Sequence, residues 1–284
     1  MKVYGDWTVS KQLSVPKKRC QRICRKILHK NLDVIISQRK DDSMRLIITD
    51  NYKKLSRRTA RHVAGQIELK PDCNLGLPTG STPLGMYDVL VKLHQEEGLS
   101  LAEVSTFNLD EYRGLDRNHP RSFYNYMAEN FFQHVDIKEE NINFLDGTAG
   151  DIEQECQRFE NKIATSGGID LMVLGIGRNG HIGFNEPGKE LKSNSHLAEL
   201  AEETIKANQR FFQEEEEVPA QALTMGMGTI LKSDRILLLA SGRSKAWAVK
   251  ELMKNRITPE FPASFLRVHP WVTLIIDQEA ADKI

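Results

Sequence analysis

The chain lacks the features that would commit it to a membrane, a nucleic acid or an extracellular scaffold. No apolar run approaches the roughly 20 residues a membrane helix needs. The N-terminal segment has no apolar h-region of a secretory signal, so export is not expected. Neither sign of charge is in excess. Lys+Arg and Asp+Glu are both 39 in 284 residues, and nothing global points to nucleic acid or an acidic membrane surface. Cysteine is sparse: Cys20, Cys24, Cys73 and Cys156 are scattered, and Cys20 and Cys24 form a C-x-x-x-C with no second pair. That spacing disfavours zinc and leaves free thiols in a reducing cytoplasm as the expectation. There is no Gly-x-Ser-x-Gly elbow and no Gly-Lys-Ser/Thr P-loop ending, which disfavours serine-hydrolase chemistry and nucleoside triphosphate hydrolysis. No His/Cys/Asp cluster has metal spacing. Neither a metal nor an organic cofactor is expected.

The most informative stretch runs from Ile169 to Gly188, I-D-L-M-V-L-G-I-G-R-N-G-H-I-G-F-N-E-P-G. Leu171-Met-Val-Leu174 has the length and apolarity of a strand buried on both faces. Gly175, Gly177, Gly180 and Gly183 then permit tight turns and close approach to a ligand. Among them sit Asn179, His181, Asn185 and Glu186. Gly175-x-Gly177-x-x-Gly180 matches the dinucleotide fingerprint by letter. The fingerprint also needs a helix opening at its third glycine, and His-Ile-Gly-Phe-Asn-Glu-Pro-Gly is a poor helix. A nicotinamide enzyme is therefore disfavoured.

Two regions are expected. Residues 1–43 are rich in Lys and Arg, and Cys20 to Ile36 could form a basic amphipathic helix. This part reads most simply as an appendage or an upstream extension of the reading frame, because a self-sufficient pattern starts at Met44. Over 44–284 strands and helices alternate. Strands are predicted at 45–49, 74–78, 104–110, 171–174, 235–240 and 271–277. Helices are predicted at 52–68, after Pro83 with Thr82 as N-cap, and at 122–132, 152–164 and 202–212. The fold class is α/β, a single doubly wound, mostly parallel, Rossmann-like sheet with helices on both faces.

In such a sheet, strand ends gather along one edge and their loops carry the chemistry. Thr79-Gly80-Ser81-Thr82 before a helix reads as a phosphate cradle, although an ordinary capped turn would look the same. Lys245, after Ser241-Gly-Arg-Ser, and Arg210 are candidate cations for a phosphate dianion. Asp110-Glu111 ends a strand, where a sheltered carboxylate can gain a pKa suited to proton abstraction. The bland alternative is that Asp110 caps a turn and Glu111 pairs with Arg113. His181 and Glu186 supply an imidazole and the carboxylate that would orient it. Together these residues suggest metal-free acid–base catalysis on a small phosphorylated molecule, best matched by aldose–ketose proton transfer.

Several segments carry a resemblance. Leu75-Gly-Leu-Pro-Thr-Gly-Ser-Thr-Pro83, Phe107-Asn-Leu-Asp-Glu-Tyr112, His119-Pro-Arg-Ser122, Leu174-Gly-Ile-Gly-Arg-Asn-Gly-His-Ile-Gly-Phe-Asn-Glu-Pro187 and Ala222-Leu-Thr-Met-Gly226 resemble, collinearly, the glucosamine-6-phosphate deaminases of the glucosamine/galactosamine-6-phosphate isomerase family. The resemblance runs from about Met44 to Asp277. It implies isomerisation and deamination of glucosamine 6-phosphate to fructose 6-phosphate and ammonia, in amino-sugar catabolism. It implies that Asp110 carries the proton from C2 to C1, that His181 opens the pyranose ring, and that Asn179 and Glu186 hold and tune that histidine. It places the substrate phosphate on Thr79, Gly80, Ser81, Thr82, Arg210 and Lys245. The implied partner is a hexosamine 6-phosphate, with no nucleic acid and no membrane, in a cytoplasmic monomer or small homo-oligomer.

The sequence also departs from that family. Many members carry Asp where this chain has Asn179. Allosterically regulated hexameric members have a Ser and two basic residues at the positions of Lys189, His196 and Ala198, and a longer C-terminal tail, so regulation by N-acetylglucosamine 6-phosphate is not expected here. Alternatives are the galactosamine 6-phosphate enzyme, a 6-phosphogluconate lactonase, and a sugar-phosphate-sensing regulator domain. The last would need neither Asp110 nor the Asn179/His181/Glu186 set, and residues 1–43 show no convincing helix-turn-helix.

Overall fold

The computed structural model describes residues 44–209, 212 and 217–284. The basic segment before Met44, with Cys20 and Cys24, lies outside the described residues, as do Arg210 and most of the acidic run at 214–217. In chain order the strands are β1 (Met44–Thr49), β2 (Asn74–Leu77), β3 (Ser105–Asn108), β4 (Asp110–Tyr112), β5 (Ile142–Asn143), β6 (Leu171–Gly175), β7 (His196–Glu199), β8 (Gln221–Thr224), β9 (Ile236–Ala240) and β10 (Val272–Asp277). The helices are α1 (Tyr52–Leu69), α2 (Leu84–Glu97), α3 (Phe123–Asn130), α4 (Ile152–Thr165), α5 (Glu202–Asn208), α6 (Met227–Leu231) and α7 (Ala246–Leu252).

Strands that read as unbroken apolar runs become the interior of a parallel sheet, where both faces are covered. Ile236-Leu-Leu-Leu-Ala240 is buried along its whole length. The period of two sends alternate side chains to opposite faces. Leu171 and Val173 pack with Leu75, Leu77, Leu237, Leu239 and Ile275 under Leu55, Val63 and Ile67 of α1 and Met86 and Leu90 of α2. Met172 and Leu174 pack on the other face with Leu238, Leu274 and Ile276, under Phe159 and Ile163 of α4 and Val249 and Leu252 of α7. Each such side chain contributes about 1.5–3 kcal/mol on burial. Caps start three of the helices: Asn51, Ser122 and Asp151 accept hydrogen bonds from the N–H groups of Lys54, Asn125 and Gln154.

The seven-stranded sheet has the order β1-β10-β9-β6-β2-β3-β5 with every pairing parallel. From β2 the chain builds outward through β3 to β5. It then returns to the other side of β2 with β6 and builds the opposite way through β9 and β10. Strand order therefore reverses between β2 and β6, and a crevice opens beyond their carboxyl ends. The expected doubly wound sheet is this one.

A second sheet stands beside it, antiparallel and three-stranded, with the order β4-β8-β7. It divides the single strand predicted at 104–110. After Asn108, whose Nδ2 donates to Leu77 O at 3.1 Å, the chain leaves the parallel sheet, and Asp110 pairs with Thr224 of β8. Thr82 is not an N-cap either. Pro83 holds that position without a side-chain bond, and the Gly85 N–H is taken at 2.8 Å by the Tyr52 hydroxyl from α1. Among the described residues no helix is long and apolar enough to cross a membrane.

Candidate active site

Four strand-end loops meet at the switch point and line a cleft of about 400 Å³. The loop after β2 carries Thr79, Gly80, Ser81 and Thr82, all of them in the lining. Gly80 has φ +96°, a conformation open to glycine at little cost. Three tyrosine hydroxyls hold this loop from behind: Tyr87 donates to Pro78 O at 2.6 Å, Tyr126 to Gly80 O at 2.7 Å and Tyr52 to Ser81 O at 3.0 Å. With the Pro78, Gly80 and Ser81 carbonyls engaged by protein, the loop suits its N–H groups and hydroxyls to an anion.

The loop after β6 turns instead of opening a helix. Gly180 has φ +90°, and the next helix starts only at Glu202, so the dinucleotide fingerprint lacks its structural half. A Cβ on Gly177 would come within 2.5 Å of the His181 ring, and one on Gly180 within 2.2 Å of the Phe261 ring. A larger residue at Gly177 would push the histidine out, and one at Gly180 would displace the Phe261 ring. Asn179 bridges the loop: its Oδ1 accepts from His181 N at 3.1 Å and its Nδ2 donates to Glu186 Oε2 at 2.8 Å. The buried His181 Nδ1 lies 3.4 Å from that same Glu186 oxygen, an ion-pair distance longer than a good hydrogen bond. The other Glu186 oxygen accepts from the Thr204 hydroxyl on α5. Burial alone would raise the pKa of Glu186, but the nearby His181 imidazole, with the donors Thr204 and Asn179, outweighs it and holds the group below its ordinary value. Glu186 is therefore an anion fixed behind the imidazole, able to orient it and to stabilise its cation.

Asp110 enters the cleft from the start of β4 and is 7% exposed. Its Oδ2 is close to the opposite loop: a Cβ on Gly183 would stand 3.4 Å from it. Burial, and then the negative charge of Glu111, raise the Asp110 pKa to about 8. A carboxyl poised there can both accept and return a proton near neutral pH.

The loop after β9 brings Lys245, which donates to Ile176 O at 2.7 Å and lines the cleft. Gly242, at φ +85°, is fixed by the Asp277 carboxylate, which accepts from Gly242 N at 3.1 Å, from Ala280 N at 2.9 Å and from the Ser241 hydroxyl. The cleft therefore gathers Thr79, Gly80, Ser81, Thr82, Asp110, Asn179, His181 and Lys245, with Glu186 one layer behind. Arg210 lies outside the described residues. No sequence signal marked Thr204, the three tyrosines or Asp277. Among the described residues, no group of three His, Cys, Asp or Glu could hold a metal ion. Such an arrangement can anchor an anion at one end and move protons at the other.

The model of the glucosamine-6-phosphate isomerases/6-phosphogluconolactonase family matches residues 49–274. The glucosamine-6-phosphate deaminase of Halothermothrix orenii is 54% identical over 238 residues, which cover 84% of this chain and 99% of that protein. That of Thermoanaerobacter pseudethanolicus is 51% identical over 241 residues, 85% of this chain and 95% of its own. A solved structure of a monomeric glucosamine-6-phosphate deaminase is 49% identical with a TM-score of 0.82, over 84% of this chain and 99% of that one. A 6-phosphogluconolactonase from Trypanosoma brucei shares the fold, with a TM-score of 0.68 at 20% identity over 84% of this chain and 98% of its own. The chain belongs to the glucosamine-6-phosphate isomerase/6-phosphogluconolactonase family.

Proposed function

We propose that the protein converts glucosamine 6-phosphate and water to fructose 6-phosphate and ammonia, a step of amino-sugar catabolism. The observation that carries this reading is the pairing, in one cleft, of Asp110, its pKa raised to about 8, with His181 backed by Glu186. Relatives about 50% identical over most of the chain and named for this activity support it.

In this reading Thr79, Gly80, Ser81, Thr82, Lys245 and Arg210 take the phosphate, and binding energy from that remote group orients the C1–C2 edge. His181, steadied by Asn179 and Glu186, moves a proton from the C1 hydroxyl to the ring oxygen as the C1–O5 bond breaks. The Asp110 carboxylate removes the C2 proton, and the electron pair moves into a cis-enolamine as the aldehyde oxygen is protonated. Asp110 then returns the proton to C1 and leaves a C2 imine. Water adds to the imine, ammonia departs, and a ketone remains. Each step is acid–base chemistry of the kind these groups perform.

A cytoplasmic monomer or small homo-oligomer fits this activity, and the relative described as monomeric supports it. Ammonia release from glucosamine 6-phosphate and from its C4 epimer, galactosamine 6-phosphate, is the test. Faster turnover of the first is expected. Release from neither would overturn the reading, and release from the second alone would reassign the substrate.

A further inference from the structure

Glu111 has no task in the steps above, yet it is 3% exposed, deeper than the 7% of Asp110 beside it. Both lie on β4, so their side chains leave opposite faces of the strand. Asp110 lines the cleft and Glu111 points behind it. The Glu111 carboxylate accepts three backbone N–H groups. Oε1 takes Tyr112 N at 2.9 Å and Phe123 N at 2.9 Å, and Oε2 takes Tyr124 N at 3.0 Å. The last two belong to the first turn of α3, and Pro120, Ser122 and Phe123 form one wall of the cleft. The neighbouring cation, Arg113, is directed elsewhere, to Gly147 O at 2.6 Å. The ion pair between Glu111 and Arg113 considered from sequence is not what this carboxylate makes.

We propose that Glu111 is a positioning residue for the reaction: it ties the cleft wall at the start of α3 to the strand that carries Asp110, and its buried charge opposes ionisation of Asp110. The assignment rests on Asp110 being the proton carrier of the proposed reaction.

The surroundings support a charged Glu111. Burial raises its pKa to about 7 against the pull of three backbone N–H bonds, which favour the anion. Asp110 makes no comparable set, so of the two Glu111 ionises first and Asp110 is held up. Asp146 adds negative charge at Glu111, the Tyr112 phenol lies on the next residue, and His181 lines the Asp110 side of the cleft. Ala222, Leu223 and Thr224 of β8, paired with β4, and the first turn of α3 bring no titratable carboxylate or cation. A carboxyl that must collect a proton at C2 and give it back at C1 works best with a pKa near ambient pH. Glu111 adds to the burial that holds the Asp110 pKa up, without touching substrate.

The test is the pH profile of kcat/KM for Glu111→Gln, which keeps the shape and removes the charge. The acidic limb should move to lower pH by on the order of one unit. Ser122→Ala is the control. It removes the α3 cap, Ser122 Oγ to Asn125 N at 3.0 Å, and leaves the charges in place. Its limb should coincide with that of the wild type. An unmoved limb in Glu111→Gln, or an equal shift in Ser122→Ala, overturns the assignment. If Glu111→Gln does not fold, carboxyl ¹³C titration of the wild type, assigned with Asp110→Asn, reads the same coupling. Asp110 should titrate above Glu111, and the reverse order overturns the proposal. A wild type that releases no ammonia overturns the underlying reading, whereas release with an unmoved limb overturns only the role of Glu111.

Discussion

Asp110→Asn should abolish turnover and make the protein more stable, by an amount that depends on pH. The Asp110 pKa stands at about 8 against an ordinary 3.8. A group whose folded pKa is raised lends its stability fully below the unfolded value, and that stability is lost as pH rises towards the folded value. Each unit in that window is about 1.4 kcal/mol. At pH 7 the accumulated cost of keeping Asp110 in its site is at most about 4 kcal/mol, and at pH 4 it is under about 1 kcal/mol. Part of the cost is shared with Glu111, whose charge contributes to the shift, so about 2–3 kcal/mol is the gain assigned to the neutral amide at pH 7. For a domain of this size that corresponds to a rise in Tm of roughly 5–10 °C. The assay is thermal unfolding of both proteins followed by circular dichroism at pH 4 and pH 8. The variant should melt higher at pH 8 and at nearly the wild-type temperature at pH 4. Equal melting at pH 8, or the same gain at both pH values, would refute the claim that Asp110 sits in a desolvated, negatively charged site. Such a gain would mark Asp110 as a residue kept at a cost in stability.

Two further outcomes follow from the network around His181. Asn179→Asp would replace the donor 2.8 Å from Glu186 with a second negative charge, so the acidic limb of kcat/KM should move to higher pH while the fold persists; an unchanged profile would refute the role given to the amide. Thr204→Val removes the hydroxyl that α5 gives to Glu186 and should lower kcat by about 10-fold, the worth of one charge-assisted hydrogen bond of 1.5 kcal/mol or so. Thr204→Ser should restore most of it, and equal activity of the valine variant would show that α5 does not act through Glu186.

The buried runs Leu171–Leu174 and Ile236–Ala240 were legible in the sequence because a parallel strand covered on both faces needs continuous apolarity. The loops that follow them drew notice because glycine, hydroxyl and carboxylate groups cluster at strand ends, although each loop taken alone also reads as an ordinary capped turn. Four-residue β7 and β8 were not. His196-Leu-Ala-Glu and Gln221-Ala-Leu-Thr have no periodicity long enough to separate them from loop, and they become strands only by pairing with each other and with β4. The supports of the cleft were hidden for a related reason. Tyr52 reaches Ser81 across 29 residues, Thr204 reaches Glu186 across 18, and Asp277 reaches Ser241 across 36. Local pattern reports what a residue does within its own turn or strand, and carries no address for a partner brought near by the fold. The expectation for Thr82 failed in the same way, since the tyrosine that takes the Gly85 N–H comes from another helix.

The central claim is that one carboxylate moves hydrogen between neighbouring carbons of a bound sugar phosphate. Its most direct measurement follows glucosamine 6-phosphate turnover in deuterium oxide by NMR, with the wild type and Asp110→Asn side by side. The wild type should release ammonia and form fructose 6-phosphate with its new hydrogen on a single face of C1, and Asp110→Asn should do neither above background. New hydrogen spread over both faces, or turnover by Asp110→Asn at the wild-type rate, would contradict it.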